Sequence, residues 1–279
     1  SRPLPGTGVA PFRSFLQSLY RQRGGWSGQV RLYYGARTGM DILYANDEHD
    51  DLAQYYDHET FAAFRALTNR PLADEADALA GELNAARPGS AHVAQADLSA
   101  QKGVDALAQA CREAFPRLDI LVNNASRFYP NEVGATPAWQ WDDLISSNLR
   151  GPYFLVQALL GRIRAAGGSV VNIIDIHADR PMPGHGVYGI SKAGLAMMTR
   201  TLAWELGPAV RVNGVAPGAI LWPESGADDA AKQAILDRTA LGRVGAASDI
   251  ASAVAYLALD APYVTGQILA VDGGRTLNM

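Results

Sequence analysis

Three residues in the second half of the chain have the types and spacing of a proton-transfer site. Asp175 ends a run of Val and Ile that predicts a buried strand. Tyr188 and Lys192 are four residues apart in a helix-forming stretch, so they share one helix face. A phenol has a pKa of about 10, and a neighbouring ammonium favours the phenolate, so we expect Lys192 to lower the pKa of Tyr188. A site at a strand end is therefore predicted, although Tyr-x-x-x-Lys alone also arises by chance on exposed helices.

The composition excludes several functional classes. The chain has 279 residues and a net charge of −4, which suffices for one large α/β domain and includes no basic tract for nucleic acid. No apolar run reaches membrane-spanning length. The one cysteine, Cys111, excludes an internal disulfide and is typical of a reducing compartment, so we expect a cytoplasmic protein. His177 and His185 have no companion ligands at metal-binding spacing, so no metal is expected.

Strands and helices alternate from about residue 72 onward. Strands are predicted over residues 91–96, 120–122, 169–174, 210–215 and 268–271. Helices are predicted over residues 73–86, 103–114, 139–165 and 247–259, around Tyr188 and Lys192, and within a variable region at 218–239. This alternation predicts an α/β fold, a Rossmann-like doubly wound parallel sheet with helices on both faces.

The motifs of this region occur in the order of a known family. They are Asn123-Asn124-Ala125, Asn148, Tyr188-x-x-x-Lys192 and Pro217-Gly218. Residues 72–279 thereby resemble a short-chain dehydrogenase/reductase. Within that family they resemble a bacterial pteridine reductase, because Ser-Arg-Phe-Tyr-Pro occupies 126–130, Asp175 stands where most members have Ser, and Pro-Gly-Ala-Ile-Leu-Trp-Pro-Glu occupies 217–224.

The resemblance implies how the catalytic residues act. NADPH would give hydride to a C=N carbon of a dihydropterin or dihydrofolate-like substrate, while Tyr188 donates a proton and Asp175 relays one from solvent. Lys192 would hold the nicotinamide ribose, and Asn148 would open its helix to a bound water in the relay towards Lys192. The alternatives are a loop-capping carboxylate for Asp175, a surface residue for Tyr188 and an exposed helical residue for Asn148.

The resemblance also implies a cofactor path and a substrate ring site. The Asp97 side chain and the Leu98 backbone would meet the adenine, although Asp97 or Ser99 could equally cap a helix. Phe128 would stack the pterin against the nicotinamide, or else belong to the core. Trp222 and Glu224 would close over the pterin or pack their loop. The rest of the cofactor path would be lined by Asn123, Ala125, Ser126, Pro217 and Gly218.

Residues 1–70 differ from that family because its Thr-Gly-x-x-x-Gly-x-Gly turn is absent. The stretches 5–13 and 32–37 instead resemble the NADP-binding half of a ferredoxin–NADP reductase, without its flavin domain. We therefore expect a chimera. Residues 1–70 would supply an atypical first strand–helix–strand unit, and residues 71–279 would form the short-chain dehydrogenase/reductase body.

This front segment allows two interpretations of the cofactor site. In the first, strands at 32–34 and 64–67 flank a turn at 35–39 and a helix at 41–56; Gly35, Arg37 and Gly39 would admit the pyrophosphate. Asn69 and Arg70 follow the second strand, where Arg70 would pair with the 2′-phosphate of NADPH. Acidic residues near that helix start oppose phosphate binding. In the second interpretation, Gly6-Thr7-Gly8 holds phosphate; ordinary glycine turns explain both stretches equally simply.

Four functions remain open at the level of sequence. An NADPH-dependent pteridine reductase acting on a pterin or folate is preferred over a general carbonyl or oxoacyl reductase, because Asp175 and Phe128 favour it. A chimera without a working dinucleotide site and a flavin-linked electron carrier are the other two. We expect neither nucleic-acid nor membrane partners. Residues 264–274 resemble the family's last strand, which commonly supports dimer or tetramer contacts, so we expect a homo-oligomer.

Overall fold

Within the described residues, six strands form one parallel sheet. The computed structural model describes residues 30–36, 61–67, 70–220 and 229–278. The strands are β1 (Val30–Ala36), β2 (Phe61–Leu67), β3 (Ile120–Asn123), β4 (Ser169–Ile173), β5 (Arg211–Pro217) and β6 (Ile268–Val271). Their order across the sheet is β2-β1-β3-β4-β5-β6, and every neighbouring pair is parallel. The predicted α/β fold class is confirmed.

Helices connect the strands from β2 onward. They are α1 (Arg70–Ala86), α2 (Gln101–Ala114), α3 (Ala138–Ile145), α4 (Gly151–Ala166), α5 (Gly186–Leu206), α6 (Asp229–Asp237) and α7 (Ala247–Ala255). A π-helical segment, Ser146–Arg150, joins α3 to α4, so the predicted helix over 139–165 is continuous but widened in its middle. A second π-helical segment, Tyr256–Asp260, extends α7.

Successive strand residues enter two separate cores, which is why the strands carry apolar residues on both faces. Ile120 and Val122 of β3 pack in one core with Leu83 of α1 and Ile250 of α7. Leu121, between them, packs in the other core with residues of α2, α4 and α5. Helices therefore cover both faces of the sheet, as predicted.

Three predicted elements need correction. Residues 91–97 form no strand, because the Asn84 side chain of α1 bonds both backbone groups of Ala91, at 2.9 and 3.0 Å. Gly35 and Ala36 are not in a turn but end β1, where they pair with β2. Arg70 begins α1, three residues earlier than the helix start predicted at 73. Arg37, Gly39, Asn69 and the predicted helix over 41–56 lie outside the described residues.

The strand order defines where a ligand crevice forms. From β1 the sheet extends to β2 on one side and to β3 on the other, so the chain changes direction between β1 and β3. In open α/β sheets, ligands bind outside the carboxyl ends of the strands at this switch point. Tyr33 pairs with Asn123, the last residue of β3, so Gly35 and Ala36 continue β1 beyond the end of β3.

Candidate active site

Asp175 and Tyr188 form the centre of the site. Asp175 directly follows Ile174 at the end of the β4 region, and its Oδ1 accepts a hydrogen bond from the backbone N–H of His177 at 2.8 Å. Its Oδ2 accepts a hydrogen bond from the Tyr188 hydroxyl at 2.6 Å. Asp175 thus both caps a short 3₁₀ turn and contacts the phenol, so the capping role and the proposed catalytic role are compatible.

The pKa of Tyr188 shifts in the opposite direction to the one predicted. Burial raises the pKa of Tyr188 well above 10, and the charge and the hydrogen bond of Asp175 raise it further. The Lys192 ammonium lies 5.7 Å from the centre of the phenol ring, whereas the carboxylate is in direct contact with the hydroxyl. Tyr188 is therefore fully protonated at neutral pH, which suits a proton donor.

Lys192 lies beneath the phenol in the protein interior. Its side chain is 2% exposed, and Nζ donates a hydrogen bond to the carbonyl of Ile173 at 3.0 Å. Burial lowers the pKa of Lys192 from 10.5 to about 8, and the charge of Asp175 partly opposes this. Lys192 therefore remains mostly charged at neutral pH, but only by a small margin.

Asn148 lies inside the π-helical segment that joins α3 to α4. Its Nδ2 donates hydrogen bonds to the Arg127 carbonyl and to Ser191 Oγ, at 2.9 and 3.0 Å, and its Oδ1 accepts from Arg127 N at 2.7 Å. The Ser191 hydroxyl donates to the Tyr188 carbonyl at 2.7 Å. Asn148 is thus buried, not an exposed helical residue, and it joins the residue before Phe128 to the helix of Tyr188. Its predicted part in a water relay stays a prediction.

Phe128 lies against the phenol of Tyr188. Its ring meets the Tyr188 ring edge to face, with centroids 4.8 Å apart and an interplanar angle of 83°. The His185 ring stacks on Phe128 at 4.7 Å and 12°. Arg127, the neighbour of Phe128 on the same loop, forms an ion pair with Asp143 of α3, and both side chains are largely buried. The resemblance predicts that Phe128 contacts the substrate, but no sequence pattern predicted that His185 stacks on it.

Asn131 is a residue of the site that was not predicted from the sequence. Its side chain accepts a hydrogen bond from Val187 N at 3.1 Å, and its backbone N–H donates to the Gly184 carbonyl at 2.7 Å. These bonds tie the Phe128 loop to the start of α5. The loop and the helix are far apart in sequence, so no local capping pattern marks Asn131.

The end of β3 has polar groups that suit a nucleotide. Both amide atoms of Asn124 and the hydroxyl of Ser126 are buried and have no hydrogen-bond partner among the residues that the structure describes. Buried polar atoms are almost always paired in native proteins, so unpaired ones beside the switch point fit a polar ligand. Asn123, in contrast, donates to Asn172 Oδ1 at 2.8 Å and is committed to the core.

The other predicted cofactor residues border the same end of the sheet. Asp97 forms a local turn in which Oδ1 accepts from Ser99 N and Oγ, at 3.0 and 2.7 Å, so it does not directly cap α2. Leu98 is buried, and Ala125 packs beside the core. Pro217 ends β5, and Gly218 N donates to the Val271 carbonyl at 3.0 Å. Trp222 and Glu224 lie outside the described residues.

Neither a metal-binding cluster nor a membrane-spanning helix is found in the described part of the chain. No group of three or more His, Cys, Asp and Glu side chains there could hold a metal ion. No helix within those residues is both long and apolar enough to cross a membrane.

Comparison with known proteins assigns the class. A family model described as Enoyl-(Acyl carrier protein) reductase matches residues 63–276, and one described as Oxidoreductase NAD-binding domain matches residues 4–84. Together with the parallel sheet and the buried Tyr–Lys pair, these define an oxidoreductase with a nicotinamide dinucleotide cofactor. The chain belongs to the short-chain dehydrogenase/reductase family.

Similar proteins cover most of the chain. It is 39% identical to 3beta-hydroxysteroid dehydrogenase 1 of Eggerthella lenta, over 68% of this chain and 75% of that protein. It is 34% identical to a 3-oxoacyl-[acyl-carrier-protein] reductase of Staphylococcus epidermidis (72% and 84% covered) and 32% identical to pteridine reductase 1 of Leishmania tarentolae (74% and 85%). A solved short-chain dehydrogenase/reductase from Brucella melitensis superposes with a TM-score of 0.72 at 26% identity, covering 90% of this chain and 97% of that one.

Proposed function

We propose that the protein is an NADPH-dependent pteridine reductase that reduces a C=N bond of a dihydropterin or dihydrofolate-like substrate. The observation that carries the proposal is the 2.6 Å hydrogen bond from Tyr188 to Asp175. Most of the family has Ser in place of Asp175, and a serine hydroxyl is not a useful acid at neutral pH. A carboxyl group in contact with the phenol suits a reaction in which a ring nitrogen must be protonated.

The side chains can deliver that proton. NADPH, when bound, would supply hydride to the carbon of the C=N bond, and the nitrogen then needs one proton. Tyr188 carries a proton at neutral pH because its pKa is raised, and negative charge developing on the substrate nitrogen would draw that proton off. Asp175 contacts the same hydroxyl and would return a proton from solvent. Lys192 would stabilise the transient phenolate.

Phe128 supports a planar substrate. His185 already stacks on one face of Phe128, so the proposal places a flat heterocycle on the other face of this ring, beside Tyr188. Such offset stacking contributes about 0.5–1.5 kcal/mol beyond area burial. The proposal assigns cofactor choice to Arg70, at the start of α1 after β2, where an acidic residue would select NADH.

Two measurements test the proposal. The first is NADPH binding to the purified protein, followed by nicotinamide fluorescence. The second is NADPH-linked turnover of a dihydropterin. We expect Tyr188→Phe to keep NADPH binding but to lower kcat by about 10²–10⁴-fold. Tyr263→Phe is the matched control, since Tyr263 is fully exposed and outside the site.

The possible outcomes separate the candidate functions. NADPH binding without dihydropterin turnover would reject the pteridine reductase. No nucleotide binding would instead indicate a chimera whose catalytic residues lack a cofactor site.

A general oxoacyl reductase is the second candidate, because the Staphylococcus epidermidis relative is about as similar as the pteridine reductase. Asp175→Ser separates the two, since it introduces the residue that most of the family carries. We expect this variant to lose dihydropterin turnover. Faster turnover of an oxoacyl thioester than of a dihydropterin by the unmodified chain would favour the second candidate.

We also propose that the protein is a homo-oligomer. Ile190, Met197 and Trp204 of α5 are 51%, 60% and 89% exposed, although all three are large and apolar. Their seven-residue spacing aligns them on one face of the helix. Two antiparallel copies of α5 crossing at Met197 would place Ile190 of one protomer against Trp204 of its partner, as a two-fold interface requires.

A further inference from the structure

A buried chain of hydrogen bonds links β3, β4 and α5 beneath the active site. Asn123 Nδ2 donates to Asn172 Oδ1 at 2.8 Å, and Asn172 Nδ2 donates to Thr199 Oγ1 at 2.8 Å. The Thr199 hydroxyl donates to the Leu195 carbonyl at 2.8 Å. Asn172 and Thr199 are 0% exposed. Solvent therefore has no access to replace the bond between Asn172 and Thr199.

The direction of each bond makes Thr199 difficult to substitute. Its hydrogen goes to Leu195, so its oxygen accepts from Asn172. Asn172 already uses its oxygen to accept from Asn123. Removing the Thr199 hydroxyl would leave Nδ2 of Asn172 without a partner in an apolar core, which is far more costly than losing an exposed hydrogen bond.

Thr199 and Lys192 contact neighbouring residues of the same strand. They are seven residues apart on α5, about two helical turns, and so lie on one face. Lys192 Nζ donates to the Ile173 carbonyl, whereas Thr199 accepts from Asn172, the residue before it. Helix α5 is therefore joined to β4 at two points, one catalytic and one inside the core.

We propose that Thr199 is a positioning residue for Lys192. The hydrogen bond between Asn172 and Thr199 fixes the rotation of α5 about its axis and its distance from β4. This holds the Lys192 ammonium at the Ile173 carbonyl. Lys192 is flexible along its side chain, and that carbonyl is its one hydrogen-bond acceptor within the described residues. This proposal rests on the proposed function in one respect, which is that Lys192 takes part in the reaction. The positioning itself can be measured without substrate.

Lysine titration gives a direct test, because the chain has just three lysines, Lys102, Lys192 and Lys232. Protein labelled with ¹³Cε-lysine would show three side-chain signals, and Lys192→Met identifies the one to follow. Burial holds the pKa of Lys192 at about 8, so its titration falls in an accessible range. In Thr199→Val the ammonium would move towards solvent. We expect its titration to move up by about half a pH unit or more, towards the ordinary value for lysine.

Two controls separate positioning from simple loss of stability. Thr199→Ser keeps the hydroxyl and should titrate like the parent protein. Thr201→Val changes an exposed threonine on the same helix and should have no effect. A Thr199→Val protein with a lower melting temperature but an unchanged Lys192 titration would overturn the proposal, because Thr199 would then only stabilise the fold.

If Thr199→Val does not fold, a second variant tests the same proposal. The double change Asn172→Val with Thr199→Val removes both hydrogen-bonding groups and leaves no unpaired amide at that point. We expect it to move the Lys192 titration upward as well, and an unchanged titration would again overturn the proposal. Failure of dihydropterin turnover would contradict the proposed function without affecting this result.

Discussion

The side chain of Asn131 accepts a hydrogen bond from Val187 N at 3.1 Å, across 56 residues of sequence. Val187 precedes Tyr188, and Asn131 belongs to the loop that carries Phe128. The loop of Phe128 and the start of the helix that carries Tyr188 are therefore joined by this hydrogen bond. Asn131 is 4% exposed, so water does not compete for this bond.

Replacing Asn131 with alanine should loosen that connection. Loss of the hydrogen bond from Val187 N, in the first turn of α5, should lower the free energy of unfolding by about 0.5–2 kcal/mol, measured by urea denaturation. Because Phe128 would lose its fixed position, KM for the dihydropterin should rise more than kcat falls. Glu132→Ala, an exposed neighbour, should leave both quantities unchanged. An Asn131→Ala protein with normal stability and KM would show that the loop is held by other contacts.

Lys192 should make stability depend on pH in a predictable direction. Its pKa is about 8 in the folded protein and 10.5 ordinarily, so between these values the unfolded chain binds more protons. Stability therefore rises with pH across this window, and the cost of burying the charge is fully present below pH 8. This cost is about 3 kcal/mol at about 1.4 kcal/mol per pH unit.

We therefore expect Lys192→Met to be more stable than the parent near pH 7 and to lose that advantage as the pH approaches 10. Urea denaturation of both proteins at several pH values measures the difference, in which the titration of the tyrosines largely cancels. Lys102→Met, at an exposed position, should show no such trend. A constant difference between Lys192→Met and the parent at all pH values would contradict a depressed pKa for Lys192.

Local patterns predicted the part of the site that depends on strand ends and helix faces. The Val and Ile run before Asp175 indicated a buried strand, and the four-residue spacing placed Tyr188 and Lys192 on one helix face. In the structure the phenol meets the carboxylate at 2.6 Å. The parallel arrangement of the sheet followed from the alternation of strands and helices, because parallel strands need crossover helices.

The features of the fold and the site that were not predicted depend on contacts between side chains and backbone that local sequence spacing does not encode. The pKa of Tyr188 rises because burial and a carboxylate outweigh the ammonium, and that balance requires three-dimensional distances. The predicted strand over 91–96 failed because the Asn84 side chain holds the backbone of Ala91. Thr199 looked like an ordinary helical residue until its partner on β4 was known.

Two glycines of α4 should respond to alanine in opposite ways. A Cβ on Gly151 would lie 2.6 Å from the backbone oxygen of Leu98, whereas a Cβ on Gly161 would meet nothing within 4 Å. Gly151→Ala should therefore destabilise the protein by about 1–3 kcal/mol. Gly161→Ala should stabilise it by about 0.5–1 kcal/mol, because alanine favours the helix.

Nucleotide binding extends this comparison, because Leu98 is the residue proposed to meet the adenine. Gly151→Ala should weaken NADPH binding in a fluorescence titration, and Gly161→Ala should not. Equal effects of the two changes on stability would contradict the close packing of α4 against Leu98. Equal NADPH affinities of the two variants would contradict a contact between Leu98 and the nucleotide.

The exposed apolar face of α5 predicts the effect of a charge at Trp204. If a second copy covers Ile190, Met197 and Trp204, then Trp204→Glu would place carboxylates in an apolar interface and separate the protomers. Light scattering at micromolar concentration should show an oligomer for the parent and a monomer for the variant. Val133→Glu is the matched control, because Val133 is 93% exposed but lies off this face. An unchanged mass for Trp204→Glu would mean that the copies meet elsewhere, and a monomeric parent would contradict the homo-oligomer itself.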